Sequence, residues 1–279
     1  MENTQIKQKR KTRKEKINRG IILIDIHNHI LWGLDDGPND VEESLKMLKT
    51  AQKNGIKKIV ATSHYIEGSY QPDSKEIKRK ILELRKIKDE KNIDIEILQG
   101  HEVFLSVDIL EYLNQNKLLT INNSKYLLIE FPFLNIPLNS DKIIYQIMKK
   151  GLRPIIAHPE RTETIINDAS TLIPFIDMGC LTQVNAGSIT GYFGERIKKT
   201  ALELIERDMV YTIASDSHNS HERKPNLSEA YIKIEKLKGK EYVKKLKKTA
   251  EKIIDDEDAE YIEPKITKKK SILEKFFSK

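Results

Sequence analysis

Ile21-Ile22-Leu23-Ile24-Asp25-Ile26-His27-Asn28-His29 is an apolar run closed by two histidines, and the pattern recurs six more times along the 279 residues. After Ile21–Ile26, closed by His27 and His29, come Ile59–Thr62 closed by His64, Ile93–Leu98 by Glu102, and Tyr126–Ile129 by Glu130. Pro154–Ala157 closed by His158, Leu181–Val184 by Asn185, and Val210–Ala214 by Asp216 with His218 complete the set. In six of the seven cases the closing residue is a His, Asp or Glu suited to binding metal. A parallel strand buried on both faces reads as such a run, and the loops after the strands of a (β/α) barrel share one rim. The closing residues are therefore expected to converge, as in a multi-metal hydrolase.

Helix punctuation lies between the runs. Asp40 precedes Glu42 and Glu43, with Gly55 closing that segment; Asp73 and Glu76 have capping-box spacing; Ser140 opens a segment that Gly151 ends; Gly179 follows another. Residues 226–260 read as one or two Lys/Glu-rich helices with a solvated face. Strand and helix alternate in seven units rather than eight. The predicted fold class is α/β, a distorted (β/α)7 TIM-like barrel.

Composition bounds this reading. At 38% apolar content the chain can bury one barrel-sized core, and no charge-poor stretch approaches the roughly 20 residues that span a membrane. The basic start followed by Ile21–Ile24 is not read as a secretion signal, because the run is short and Asp25, His27 and His29 interrupt it. Cys180 is the single cysteine, so no intramolecular disulfide forms, and a cytoplasmic location is expected. Of the net charge of +7, residues 1–20 carry +6 and 265–279 carry +5, leaving −4 for 21–264. The tails make the chain basic, so the core does not read as a nucleic-acid binder. The expected organisation is a disordered basic extension at 1–20, a barrel domain at 21–262 and a basic tail at 263–279. In that tail Ile272, Leu273, Phe276 and Phe277 stand at helical spacing beside lysines, a pattern compatible with weak docking on a membrane surface.

At the strand ends, His27 and His29 stand two positions apart, on one face, where both imidazoles reach one cation. Asp216 and His218 repeat that geometry after the last run. A lone His64 or His158 is ordinarily a hydrogen-bonded core residue; their common place after β-runs favours coordination. Glu102 and Glu130 are costly at the end of a buried strand unless paired or coordinated, and a Glu can bridge two cations about 3.5–4 Å apart, the spacing of two-metal phosphoester hydrolases. Imidazole and carboxylate without thiolate suit Mn, Fe or Zn. Metal-bridged hydroxide would be the nucleophile. Arg161, three residues beyond His158, is placed to grip phosphate oxygens, with an ion pair to Glu160 or Glu163 as the alternative.

Several segments carry a resemblance: Asp25-Ile26-His27-Asn28-His29-Ile30-Leu31, Asp35-Asp36-Gly37-Pro38, Thr62-Ser63-His64, Gly100-His101-Glu102, Glu130-Phe131-Pro132, Ala157-His158-Pro159-Glu160-Arg161 and Ser215-Asp216-Ser217-His218-Asn219. Together they resemble the motifs of the polymerase and histidinol phosphatase (PHP) superfamily, and within it the manganese-dependent protein tyrosine phosphatases of the bacterial CpsB/CapC type. The resemblance implies the PHP fold and a trinuclear Mn2+ site. His27, His29, Glu102 and Asp216 would hold one ion, Glu102 would bridge to a second held by Glu130 and His158, and Asp36, His64 and His218 would hold the third. Glu102 and Arg161 would be catalytic, with Arg161 also binding the phosphate. It further implies a phosphotyrosine substrate on the tyrosine kinase that controls capsular or extracellular polysaccharide export. Arg223 is the candidate for a second arginine offered to substrate, ahead of His221; Asn185 is expected to hydrogen-bond a ligand or substrate, and His101 to be structural. A cysteine-dependent phosphatase needs an Arg six residues after its nucleophile, where Cys180 has Ala186. The competing expectation is a small-molecule phosphatase of histidinol-phosphatase type using the same metals.

Overall fold

The structure, a computed structural model, describes residues 22–265. The expectations placed on residues 1–20, and on the apolar positions 272, 273, 276 and 277 of the tail, lie outside the described residues. Nine strands follow in order among them: β1 (Leu23–Asn28), β2 (Ile56–Ala61), β3 (His64–Tyr65), β4 (Glu96–Gln99), β5 (Glu102–Phe104), β6 (Tyr126–Glu130), β7 (Arg153–Ala157), β8 (Leu181–Asn185) and β9 (Thr212–Ala214). All pairings are parallel, in a sheet ordered β1-β2-β4 and another ordered β3-β5-β6-β7-β8-β9. β6 and β8 are buried at every position, the pattern of parallel strands covered on both faces.

Two of the seven runs are not single strands. The second is broken between β2 and β3 at Thr62-Ser63, and the third between β4 and β5 at Gly100-His101, so His64 and Glu102 begin short strands of the larger sheet instead of trailing one strand each. The second break falls where the chain passes close to β2. A Cβ on Gly100 would stand 3.0 Å from Val60 Cγ1 and 3.2 Å from Thr62 Cγ2, room that only glycine leaves. At the break His101 turns its backbone N–H to Leu119 O, at 3.2 Å, and Glu102 N donates to Ser63 O, also at 3.2 Å.

Register then aligns the strand ends. His64 lies opposite Glu102, Phe104 opposite Glu130, Glu130 opposite Ala157, and Asn185 opposite Ala214. A parallel bridge joins Asn28 to Ser217, with His29 N donating to Ser217 O and Asp216 N donating to His27 O, both at 2.9 Å. These bonds tie the first strand to the segment after the last.

The α-helices among the described residues are α1 (Val41–Lys53), α2 (Ser74–Glu90), α3 (Ile109–Asn114), α4 (Ser140–Lys149), α5 (Glu163–Asn167), α6 (Ile173–Asp177), α7 (Ala186–Thr190), α8 (Glu195–Glu206), α9 (Ser228–Lys238) and α10 (Lys240–Ile254). Asp40 caps α1 by accepting from Glu43 N at 2.9 Å. Residues 226–260 thus form two helices, and α10 lays Val243, Leu246, Ala250 and Ile253 across β1 and β9. Lys265 is still tied to the fold, its N donating to Arg207 O at 2.8 Å. No helix of the described residues is long and apolar enough to cross a membrane.

Asp73 caps α2 with one carboxylate oxygen that accepts from Lys75 N and Glu76 N, each at 2.8 Å. Removing it leaves both N–H groups without that partner, so Asp73→Ala is expected to cost about 1 kcal/mol. A urea midpoint that falls with an unchanged slope checks this.

Candidate metal centre

Glu102 stands at the centre of the converging strand ends and is fully buried. Its Oε2 lies 3.1 Å from His27 Nε2, 3.2 Å from His29 Nε2 and 3.0 Å from His64 Nδ1, while its Oε1 lies 2.8 Å from His158 Nε2. Asp216 Oδ1 faces the same histidines from the far side, 3.5 Å from His27 Nε2 and 3.4 Å from His29 Nε2. Glu130 reaches His158 Nε2 at 3.6 Å and His64 Nδ1 at 3.8 Å. Asp36 Oδ1 is 3.1 Å from His218 Nε2 and 3.5 Å from His64 Nε2. All nine candidate ligands thus share one pocket.

Their atoms fall into three groups, each within 4.8 Å: His27, His29, Glu102 and Asp216; His29, Asp36, His64 and His218; and His64, Glu102 and Glu130. The first coincides with the set the resemblance implies for one ion, and the second is the implied set with His29 added. In the third, His64 stands where the implied set has His158. His64 serves two groups because its two ring nitrogens face opposite ways, Nδ1 to Glu102 and Nε2 to Asp36. Backbone strain collects here too: His158 (φ +29°) and Asp216 (φ +51°) hold positive φ without being glycine.

Hydrogen bonds aim the rings. His27 Nδ1 pairs with Gln183 Oε1 at 2.8 Å and His29 Nδ1 with Asp35 Oδ2 at 2.8 Å. Because both partners are acceptors, each Nδ1 carries a proton and each Nε2 is turned to the pocket. Asp35 also accepts from His64 N at 3.0 Å and Gly37 N at 3.0 Å, and a Cβ on Gly37 would meet His29 O at 2.6 Å. Neither positioning role is legible in the sequence. An Asp before Asp36-Gly37 is indistinguishable from a turn residue, and the one signal for Gln183 was its place two residues before Asn185, on the same strand face.

Asn185 Nδ2 donates to Asp216 Oδ2 at 2.7 Å while its Oδ1 accepts from Gln183 Nε2 at 2.8 Å, so it bonds a candidate ligand. Arg161 pairs with neither Glu160 nor Glu163. Its Nη1 donates to Asp216 Oδ2 at 3.0 Å, and Glu163 takes Arg196 at 2.6 Å instead. Arg223 joins Arg161, its Nη2 donating to the same oxygen at 2.8 Å. His221 is exposed, its Nδ1 3.7 Å from Glu43. His101 is structural: Nε2 meets Pro72 O at 3.1 Å and Nδ1 accepts from Leu119 N at 3.0 Å. Cys180 is buried, which pushes its thiol up to about 12.

The pocket is electrostatically frustrated by its own atoms. Burial alone would raise the Glu102 carboxyl, yet His27 and His64 hold it well below the usual range. Glu130, by contrast, is pushed up to about 9 by burial and by the negative Glu102 and Asp216. Burial takes His158 down to about 4 in spite of its bond to Glu102. Near as they are, Glu102 Oε2, His64 Nδ1 and His218 Nε2 are buried without a hydrogen-bond partner. Buried polar atoms are normally satisfied, and lone pairs turned toward one another fit divalent cations between them. The cavity they face is about 220 Å3, bordered by Ile66, Tyr70, Phe104 and Phe133.

A parallel α/β scaffold whose strand ends gather five histidines, two glutamates and two aspartates defines the class as a protein with a candidate multinuclear metal centre. The sequence profile for capsular polysaccharide synthesis proteins of the CpsB/CapC family matches residues 23–255, and the chain belongs to that family. It is 34% identical over 232 residues to the tyrosine-protein phosphatase YwqE of Bacillus subtilis, covering 83% of this chain and 91% of that protein. With the tyrosine-protein phosphatase CpsB of Streptococcus pneumoniae it shares 36% over 229 residues, 80% of this chain and 94% of the other. A crystal structure from a study of YwqE and CpsB, described as unique metal-dependent tyrosine phosphatases, superposes with a TM-score of 0.85 at 33% identity. It covers 88% of this chain and 100% of its own.

Proposed function

We propose that this chain is a metal-dependent protein tyrosine phosphatase that hydrolyses phosphotyrosine on a bacterial tyrosine kinase governing capsular or extracellular polysaccharide synthesis, in the cytoplasm. The observation that carries the reading is Glu102, one carboxylate within 3.2 Å of four imidazoles in a buried pocket. The naming of close relatives as tyrosine-protein phosphatases supports the substrate class. Family membership and the bridge from Asn28 to Ser217 support reading the two sheets as one interrupted (β/α)7 barrel.

His27, His29, Glu102 and Asp216 would hold one ion, Glu102, Glu130 and His158 a second, and Asp36, His64 and His218 a third, with Mn2+ the favoured occupant. Such ions, when bound, supply Lewis-acid charge for the phosphoryl oxygens and a hydroxide nucleophile at neutral pH. The protein's own groups do the rest. Arg161 and Arg223, turned toward one oxygen of Asp216, are positioned to exchange that partner for the phosphate oxygens and to stabilise charge in the transition state. Gln183 and Asp35 keep His27 and His29 aimed, and Asn185 holds Asp216. The aromatic border of the cavity would flank the substrate ring.

Purified protein supplied with Mn2+ is expected to turn over a phosphotyrosyl peptide with higher kcat/KM than histidinol phosphate. The opposite preference would move the assignment to a small-molecule phosphatase.

A further inference from the structure

Arg161 and Arg223 have a common platform. The Arg161 guanidinium carbon lies 4.4 Å from the ring centre of Phe133 and 4.6 Å from that of Phe193, so the arginine is held between two phenyl rings. The Arg223 guanidinium is 5.7 Å from the same Phe193 ring. Both arginines converge on Asp216 Oδ2, at 3.0 and 2.8 Å. Stacking on a ring face leaves a planar guanidinium its N–H edge for an anion. Among the described residues, Arg161 makes no side-chain hydrogen bond beyond the one to Asp216.

Each ring has a further contact of its own. Phe133 sits in the loop after β6, where its carbonyl accepts from Glu163 N at 2.7 Å at the start of α5, and its ring tilts against His158 at 5.9 Å. Phe193 sits between α7 and α8, flanked by Gly191 (φ +96°) and Gly194 (φ +93°), backbone that L side chains rarely adopt. Its ring lies flush on Gly187, where an added Cβ would stand 3.0 Å from Phe193 Cε2. Phe133 borders the cavity that holds the candidate ligands. Phe193 does not; it borders a neighbouring cavity of about 360 Å3 on the other side of Arg223. The contacts that link Phe193 to the candidate site are those it makes with the two arginines, while Asp216 and Arg223 line both cavities.

We propose that Phe193, together with Phe133, is a positioning residue that sets the two arginines edge-on for the substrate phosphate, an inference that rests on the phosphatase reading above. Losing the ring frees both guanidinium groups from one face, and the arginines then meet the phosphate from a wider set of rotamers.

The test uses full-length protein loaded with Mn2+ and inorganic phosphate as the probe, with phosphotyrosyl-peptide kinetics and metal content measured alongside. Phe193→Ala is expected to raise the inhibition constant for phosphate and the KM for peptide by roughly 10-fold, between the scales of an exposed and a desolvated cation–π contact, with metal content unchanged. Phe193→Tyr keeps a ring face and is expected to restore both. Gly187→Ala, which displaces the ring without deleting it, is expected to give an intermediate value. Phosphate inhibition unchanged in Phe193→Ala, while Arg161→Ala weakens it, overturns the platform and leaves the phosphatase reading standing. If Arg161→Ala also binds phosphate as the unaltered protein does, the phosphate-binding assignment beneath it fails as well. Loss of metal in Phe193→Ala would make the ring a support of the metal centre and likewise overturn the proposal.

Discussion

Glu102→Gln is expected to remove phosphotyrosine turnover almost completely, because this one carboxylate meets four of the five candidate histidines. Its two oxygens meet four imidazoles, at 2.8 to 3.2 Å. Losing an outer partner of a metal site typically costs roughly 10–100-fold, and a group shared between two ions must exceed that, so a fall of roughly 10³-fold or more is expected. The amide keeps the shape and removes the charge, leaving the histidines without their common anion. Circular dichroism would remain that of the folded protein while bound metal drops. Turnover within a few-fold of the unaltered protein would remove Glu102 from the centre of the account.

Arg161→Ala is expected to act differently. The guanidinium touches Asp216 Oδ2 but belongs to none of the three ligand groups. Metal content is therefore expected to persist while kcat/KM falls by about 10²–10³-fold, the usual loss when one preorganised donor to a developing oxyanion is removed. Arg223 remains on the same carboxylate oxygen, which keeps the loss below that of Glu102→Gln. A variant that loses its metal in step with activity would make Arg161 a support of Asp216 and not a phosphate ligand.

Much of the arrangement was legible in the chain because parallel strands leave a strong imprint. An apolar run buried on both faces and ended by a single polar residue locates both a strand and its rim, and the nine residues found this way, or through the family motifs, do meet in one pocket. The breaks at Thr62-Ser63 and Gly100-His101 were not legible. They are places where the chain passes from one sheet to the other, and the close packing of Gly100 on Val60 and Thr62 at the second is a tertiary contact that no single run records. Asp35 and Gln183 escaped for a related reason. Each is defined by the ring nitrogen it faces, Gln183 across 156 residues from His27, and such pairings follow from register. The stack of Phe133, Arg161 and Phe193 joins two loops and the 3-10 helix Pro159–Arg161 and has no periodicity to betray it.

Metal content and catalysis measured on one preparation test the central claim most directly: elemental analysis of the purified protein, then phosphotyrosyl-peptide hydrolysis before chelation, after it, and after Mn2+ is returned. Up to three ions per chain, loss of turnover with their removal, and recovery on adding Mn2+ are expected. Undiminished turnover by metal-stripped protein would contradict that claim.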